Sequence, residues 1–465
     1  MLNAYFKKFK TAHLAYAIYF ILCLVLFFTN TDIEAQKYLL GWDSLSTELN
    51  PVDGISVAFN SAWQEYQSFG LPAGMAHASD LPRAVFVYLI SALIPNFLVR
   101  YFFHMTMIFL SLCFMFVYLR KAFNLSVFPS FVGALSYTFS FGIIQVLYLP
   151  FEPFSIFIAF LPLSLYLFDE YTSSENPFNR KLILKLLILN FIFSGSFYVQ
   201  TLFIVYLLLL SLYFLGNLLQ KRENLRHYFN KSLIFVFILL IANSYWLIPQ
   251  VYFVFTNLTV VSDSKINQLA TDTVYLRNVE RSTLYSFFYD LGYYFDLYNS
   301  DSVRIFKNWQ DWRTNSISSV FIGLFWVIAS IGVIFRTKKL LRVIFLLILV
   351  CLVFLSNEFV NTQIRDFLTN IPLINQIFRS YFTKLIYIKS FVLSTLFALG
   401  ISVVIGYLNE MPRSLKNLRF LCLTSGTLLI LTAVLTPILP IFNGELFSST
   451  VETSIPMETK ELINY

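Results

Sequence analysis

Runs of roughly 20 apolar residues recur along the whole chain, each long enough to cross about 30 Å of hydrocarbon. Polar residues are concentrated between these runs. Because lipid offers the backbone no hydrogen-bond partners, the runs are predicted to be helices, and their unbroken apolar character argues against the alternation of a β-barrel. Eleven spans are predicted, near residues 12–29, 99–119, 130–146, 153–169, 183–199, 200–216, 232–255, 316–335, 343–356, 387–408 and 420–440.

Composition supports the same class. Of the 465 residues, 57% are hydrophobic and 13% are charged, whereas a soluble domain carries roughly 25% charged residues. The basic start of the chain, residues 7–10, precedes an apolar run with no small-residue cleavage site, so an uncleaved first span is expected. The sequence therefore predicts an all-α polytopic membrane protein, with residues 1–440 forming one transmembrane domain.

The distribution of basic residues predicts the orientation. Alternate segments between the spans, counted from the N-terminus, hold 18 of the 33 Lys and Arg residues although they are short. Cytoplasmic loops carry such an excess, so the N-terminus is expected in the cytoplasm and the C-terminus outside the plasma (inner) membrane. Residues 84–95 are too few to span, and a crossing there would place Arg120 and Lys121 outside. We expect this segment to be a helix lying at the outer membrane face.

Acidic residues show the opposite distribution, since 21 of the 26 lie in the predicted outer segments and none is left for the spans. Coupled transporters commonly use acids within the membrane, so their absence weakens that function. Two outer loops are long, residues 30–98 and 256–315, and both mix aromatic with charged residues. Long loops tend to carry function, and aromatic faces beside carboxylates suit sugar rings, although an aromatic belt at the headgroups would give a similar composition.

The first long loop contains the leading candidates for chemistry. Asp43 and Glu48 closely follow the first span, where a carboxylate near a membrane face can have a raised pKa and accept a proton from a hydroxyl. Trp63, His77 and Asp80, in the same loop, are candidates for substrate binding.

Two further positions lie at predicted outer turns. Glu152 stands between two prolines, which restrict the backbone around it. Arg379 and Lys384 precede the tenth predicted span and could hold a lipid-linked phosphate, or could merely reach lipid headgroups. The cysteines and histidines show no metal-ligand spacing.

These features together resemble the GT-C superfamily of membrane glycosyltransferases, in which one span is followed by a long outer loop with an early acid, helices on the membrane face and many further spans. The likeness is greatest to the N-terminal membrane region of AftD-type arabinofuranosyltransferases, and Arg379 stands in a setting also found in YfhO-like membrane proteins. It rests on Asp43, Leu45, Glu48, Pro51, Phe59, Trp63 and Phe69-Gly70, on Glu152-x-Phe154 followed by Pro162, and on Pro372 with Phe378-Arg379.

The resemblance implies transfer of a sugar from a polyprenyl-phosphate donor to a glycan or lipid acceptor at the outer face, in polysaccharide biosynthesis of the cell envelope. Asp43 would be the general base of an inverting reaction. Glu48 and Glu152 would orient the acceptor or bind a divalent cation (Mg, Mn or Ca). AftD-type proteins continue into soluble carbohydrate-binding modules, so residues 441–465 are expected to begin a further outer domain that is missing here.

Two other functions fit the same sequence. A lipid or polysaccharide flippase, or an export component, would need a polar path through the spans, where polar residues are sparse. A catalytically inactive scaffold of the same fold is the other alternative. Whether Asp43, Glu48, Glu152 and Arg379 line one outer cavity would separate these functions. No nucleic-acid partner is expected, because the basic residues lie in loops between spans.

Overall fold

A computed structural model gives the structure of the protein. It describes residues 2–41, 48–61, 63–64, 71–72, 76–174, 176, 178–220, 225–262, 265, 273–274, 276–277, 280–292, 295, 297–298, 302–335, 342–347, 380 and 382–456. All structural statements below concern these residues.

Helices dominate the described chain and confirm the polytopic all-α fold. Nine helical segments are long and apolar enough to cross a membrane, and one bent helix pair adds a possible tenth span. The helices of these spans are α1 (Leu2–Thr29), α4 (Asn96–Ala122), the pair α5 (Val127–Thr138) and α6 (Phe141–Tyr148), α7 (Glu152–Ser173), α8 (Arg180–Phe193), α9 (Gln200–Gln220), α10 (Leu225–Ser262), α13 (Ser316–Phe335), α14 (Phe382–Glu410) and α15 (Lys416–Leu435).

These helices match ten of the eleven predicted spans, and the remaining one, residues 343–356, lies mostly outside the described residues. Helices α13 and α14 pack closely, with Phe325 beside Phe397 and Phe335 beside Tyr407. From the first contact to the second, the residue number increases in both helices, so the two helices run parallel. The end of α13 and the start of α14 therefore lie at opposite faces of the bundle, as an additional crossing between them would require.

The third predicted span is divided by a bend of 43° between α5 and α6. Ser140 has an extended backbone there, with φ −60° and ψ 143°, and its hydroxyl donates to Ser390 Oγ of α14 at 2.7 Å. The apolar pattern continues through the bend, which is why the sequence predicted one straight span.

The long loop between α1 and α4 carries two short helices, α2 (Pro51–Phe59) and α3 (Leu81–Ser91), and a 3₁₀ helix, His77–Asp80. It also contains a small hairpin of β2 (Trp63–Gln64) and β3 (Leu71–Pro72). Helix α3 covers most of the segment predicted to lie on the membrane face, and its 11 residues would extend only about 17 Å, too short to cross. We call the face of the bundle that carries this loop the loop face.

A second long connection follows α10 on the same face and includes α11 (Leu284–Tyr289) and α12 (Lys307–Thr314). After α15, a 3₁₀ helix covers Thr436–Asn443. We call residues 441–453, which begin with the last turn of this 3₁₀ helix, the C-terminal strap. The strap returns across the loop face and ends in β4 (Glu452–Thr453), which pairs antiparallel with β1 (Tyr38–Leu39). Residues up to 453 thus pack on the bundle, and a further domain beyond the strap stays a prediction.

Candidate functional site

Five ionisable side chains are buried together at the loop face, and we call them the charge cluster: Glu48, Asp80, Arg83, Arg100 and Glu152. Arg83 forms a two-pronged ion pair with Asp80, at 2.7 Å from Nε and 2.6 Å from Nη2. Glu152 Oε1 lies 2.9 Å from Arg100 Nε and 3.7 Å from Arg83 Nη1. Three segments far apart in sequence are therefore joined by ion pairs, and Glu48 from a fourth lies close enough for Arg100 and Arg83 to act on its charge.

Local structure explains how these side chains are presented. Glu152 is the first residue of α7, with Pro153 at the second position, where a missing N–H costs the helix nothing. Arg100 lies in the second turn of α4 and donates from Nη1 to the carbonyl oxygen of Leu39 at 3.0 Å. A Cβ at Gly41 would overlap the carbonyl oxygen of Pro150, so only glycine allows the first loop to lie this close to the turn before α7.

The segment carrying Asp80 is fixed against the bundle by a hydroxyl contact. Ser194 donates to the carbonyl oxygen of Ser79 at 3.1 Å, and Ser194 begins a short 3₁₀ helix that follows α8. Gly195 in that 3₁₀ helix lies beside Ile156 and the Arg83 side chain, where a Cβ would meet Ile156 at 2.8 Å. The ion pair of Asp80 and Arg83 is thus held between α7 and the end of α8.

Electrostatics divide the carboxyl groups into two kinds. Burial acts to lower the pKa of Arg83, but the nearby carboxylates of Asp80 and Glu152 raise it by more than burial lowers it. The net pKa is therefore raised, and Arg83 stays charged. The pKa of Glu48 is raised, chiefly by burial and also by Glu152, although Arg100 opposes the shift. The guanidinium groups of Arg83 and Arg100 form ion pairs with Asp80 and Glu152. Burial raises the pKa of Asp80 as well, although Arg83 opposes the shift, whereas the pKa of Glu152 is lowered because Arg100 and Arg83 outweigh its burial. Since Asp80 is held in the two-pronged pair with Arg83, Glu48 is the better suited of the two raised carboxyl groups to exchange a proton.

His104 lies beside the cluster on α4, one turn after Arg100. Its Nδ1 shares a hydrogen bond of 2.8 Å with Ser155 Oγ, in the first turn of α7. The ring is fully buried, and Nε2 has no hydrogen-bond partner among the described residues.

Three residues of this region were not predicted from the sequence as site residues: Arg83, Arg100 and His104. Their signal in the sequence is the presence of ionisable residues within or beside apolar helices, where charge is costly without a partner.

Aromatic rings adjoin the cluster. The ring of His77 is edge-on to Tyr198 at 5.2 Å, and Tyr198 lies 6.3 Å from Phe151, beside Glu152. Phe151 contacts Phe154, which contacts Tyr387 of α14 at 5.9 Å. His77 thus lies near the charge cluster, at one end of an aromatic row that reaches α14.

The other predicted site residues are more dispersed. Lys384 lies in the first turn of α14, one turn before Tyr387, and its Nζ donates to Thr383 Oγ1 at 3.1 Å. Trp63 is 54% exposed in the hairpin, opposite Pro72. Asp43 and Arg379 lie outside the described residues. Among the residues that the structure describes, no group of three or more His, Cys, Asp or Glu side chains could hold a metal ion.

A second buried charge cluster anchors the second long connection. Lys389 of α14 donates to Asp290 Oδ1 and to the Phe287 carbonyl oxygen. Arg313 donates to the Tyr289 carbonyl oxygen at 2.9 Å, with its Nη2 3.9 Å from Asp290 Oδ2. Gln145 of α6 donates to the Asp290 carbonyl oxygen. The last carbonyl groups of α11 are thus capped by side chains of other helices, which gives the helix end its missing partners.

Neither a protein-family model nor a curated protein matches this sequence. Solved structures do match. The cryo-EM structure of the arabinofuranosyltransferase AftD from Mycobacteria aligns with a TM-score of 0.58 at 13% identity, covering 93% of this chain and 27% of that chain. A variant of the same protein aligns at 0.57 and 13%, covering 95% of this chain and 29% of its own.

The alignment extends over nearly all of this chain but under a third of AftD, so it concerns the fold and not the whole enzyme. The expected polytopic helical fold and the expected likeness to AftD-type proteins are therefore confirmed at the level of the fold. The chain is a polytopic membrane protein whose fold is similar to that of the aligned part of mycobacterial AftD.

Proposed function

We propose that this protein is a membrane glycosyltransferase that moves a sugar from a polyprenyl-phosphate donor to a glycan or lipid acceptor. The observation that carries the proposal is the buried charge cluster at the loop face of a fold shared with an arabinofuranosyltransferase. On this proposal the loop face is the outer face of the plasma membrane, with the N-terminus in the cytoplasm and the C-terminus outside.

In the proposed reaction Asp43 removes the proton from an acceptor hydroxyl, which attacks the anomeric carbon and inverts it. Glu48 follows five residues later, and its raised pKa suits it to bind the acceptor or to receive that proton. Arg379 and Lys384 neutralise the polyprenyl phosphate that leaves. The position of Lys384 one turn before Tyr387, whose ring contacts Phe154 of α7, supports its nearness to the charge cluster.

Glu152 has a different proposed role, because Arg100 Nε lies 2.9 Å and Arg83 Nη1 lies 3.7 Å from its carboxylate. A carboxylate so paired is a poor proton acceptor. We assign it as a positioning residue that holds Arg83 and Arg100. The row from His77 to Phe154 offers ring faces for a sugar or for the first isoprenoid units, and Trp63 offers a further exposed ring.

The test is a transfer assay with the protein in lipid nanodiscs, using a panel of labelled polyprenyl-phosphate sugars and detecting products by mass spectrometry. Asp43→Asn should lower the turnover rate about 10²–10⁴-fold, the usual contribution of general-base catalysis. Asp53→Asn is the matched control, since Asp53 is exposed on α2 in the same loop. Near-normal turnover of Asp43→Asn would remove Asp43 from the mechanism, and no transfer by the wild type from any donor would contradict the proposed function.

A further inference from the structure

The C-terminal strap contacts the first span and the first loop together. The Asn30 side chain donates to the Ile441 carbonyl oxygen at 2.8 Å and accepts from the Leu446 amide at 2.8 Å. The Leu40 amide donates to the Val451 carbonyl oxygen at 2.7 Å, and Leu39 is the strand partner of Glu452. The carbonyl oxygen of Leu39 also accepts the hydrogen bond that Arg100 donates. The strap therefore supports the backbone that anchors one arginine of the charge cluster.

The same strap also contacts the second long connection. The Glu445 carboxylate accepts hydrogen bonds from Tyr148 at 2.9 Å and from Asn308. Its carbonyl oxygen accepts from Trp309 Nε1 at 2.8 Å, and Trp309 is fully buried. The Ser448 amide donates to the Tyr148 carbonyl oxygen at 2.9 Å, close to the turn that leads to Glu152. One short segment thus ties both long connections to the bundle.

Phe447 joins the strap to His104, which lies beside the charge cluster. Its ring is 3% exposed and lies 5.8 Å from the ring of Tyr101 and 6.0 Å from the ring of His104. His104 in turn forms a hydrogen bond with Ser155, which lies in the first turn of α7, the helix that begins with Glu152. Protein interiors are close-packed, so a change at Phe447 is transmitted to His104 and to the start of α7.

We propose that the C-terminal strap is a brace for the candidate site, with Phe447 as a positioning residue that acts through His104 on the start of α7. This inference rests on the proposed function, because it concerns the geometry of the same site. It goes beyond that function by making a segment after the last span part of the site. The side chain of Glu452 extends the brace, since it accepts from the Tyr101 hydroxyl at 2.9 Å.

The experiment compares Phe447→Ala with Phe442→Ala in the full chain in nanodiscs. Phe442 packs on the core from the same strap, and no ring contact among the described residues joins it to His104 or Tyr101. Phe447→Leu is the conservative variant that should restore the packing. Three quantities are measured: the melting temperature, hydrogen exchange by mass spectrometry, and turnover in the transfer assay.

Phe447→Ala is expected to raise hydrogen exchange in peptides covering residues 37–41 and 148–156, and to lower turnover by roughly tenfold to a hundredfold, as small misplacements of a site do. Phe442→Ala, at a partly buried position, should change exchange only within the strap, with a smaller loss of melting temperature. Phe447→Leu should recover most of the turnover. If Phe447→Ala affects only the strap, or if both alanine variants act alike, the brace is wrong. A wild type without transfer activity contradicts the proposed function instead, and the exchange comparison still tests the brace.

Discussion

Replacing Glu152 with glutamine removes one charge from the charge cluster and leaves its shape almost unchanged. Glu152 is 1% exposed. Arg83 would keep its two bonds to Asp80, whereas Arg100 would keep only the carbonyl oxygens of Leu39 and Pro150, at 3.0 and 3.5 Å. The loss therefore falls mainly on Arg100, a buried cation that loses the carboxylate of its ion pair.

Removing one partner of a buried ion pair typically costs 3–5 kcal/mol, so we expect Glu152→Gln to lower the free energy of unfolding by about 3 kcal/mol or more. Replacing both residues should cost less than the sum of the single changes, because the double variant Glu152→Gln/Arg100→Met leaves no unpaired charge. The double-mutant cycle should therefore give a coupling of about 1–3 kcal/mol.

The assay is denaturant unfolding of the purified protein in mixed micelles, followed by tryptophan fluorescence, with transfer activity measured in parallel. Glu410→Gln is the control, because Glu410 is exposed at the end of α14 and the chemical change is identical. Glu152→Gln with the stability of the wild type, or a double variant as unstable as the sum of the single ones, would refute the pairing argument. Full stability with lost turnover would instead return Glu152 to a direct catalytic role.

Two further predictions concern stability. Because the pKa of Glu48 is raised in the fold, the contribution of this group to stability is fully present below the usual glutamate pKa and is lost as the pH rises through the folded value. Glu48→Gln should match the wild type in melting temperature at acid pH and exceed it increasingly above pH 4.5; a gain that shrinks with rising pH would contradict this sign. Lys389→Met should lower the free energy of unfolding by roughly 2 kcal/mol, less than for Glu152 because the Asp290 side chain is 17% exposed. In the same denaturant assay, Asp290→Asn should restore part of that loss, and a further loss would show that the pair is not coupled.

The acids of the candidate site could be found from the sequence, but their partners could not. Glu48 and Asp80 stood out as acids of the long first loop, and Glu152 as the acid of a short turn between two predicted spans. Arg83 and Arg100 lie inside helices that look like ordinary membrane-facing segments, and periodicity within one helix does not say which neighbour it meets. The pairs of Arg100 with Glu152 and of Lys389 with Asp290 join residues 52 and 99 positions apart.

The sequence by itself determined the class, the helices and most of their positions, because the cost of burying an unpaired backbone in lipid leaves a long apolar run no alternative to a helix. It also determined that residues 84–95 do not span, since length alone excludes a crossing. Tertiary structure alone decided the bend between α5 and α6, the return of the strap to β1 and the pairing of the charges. Those features depend on side chains meeting across the bundle, where a buried charge is stable only beside the opposite charge that another helix supplies.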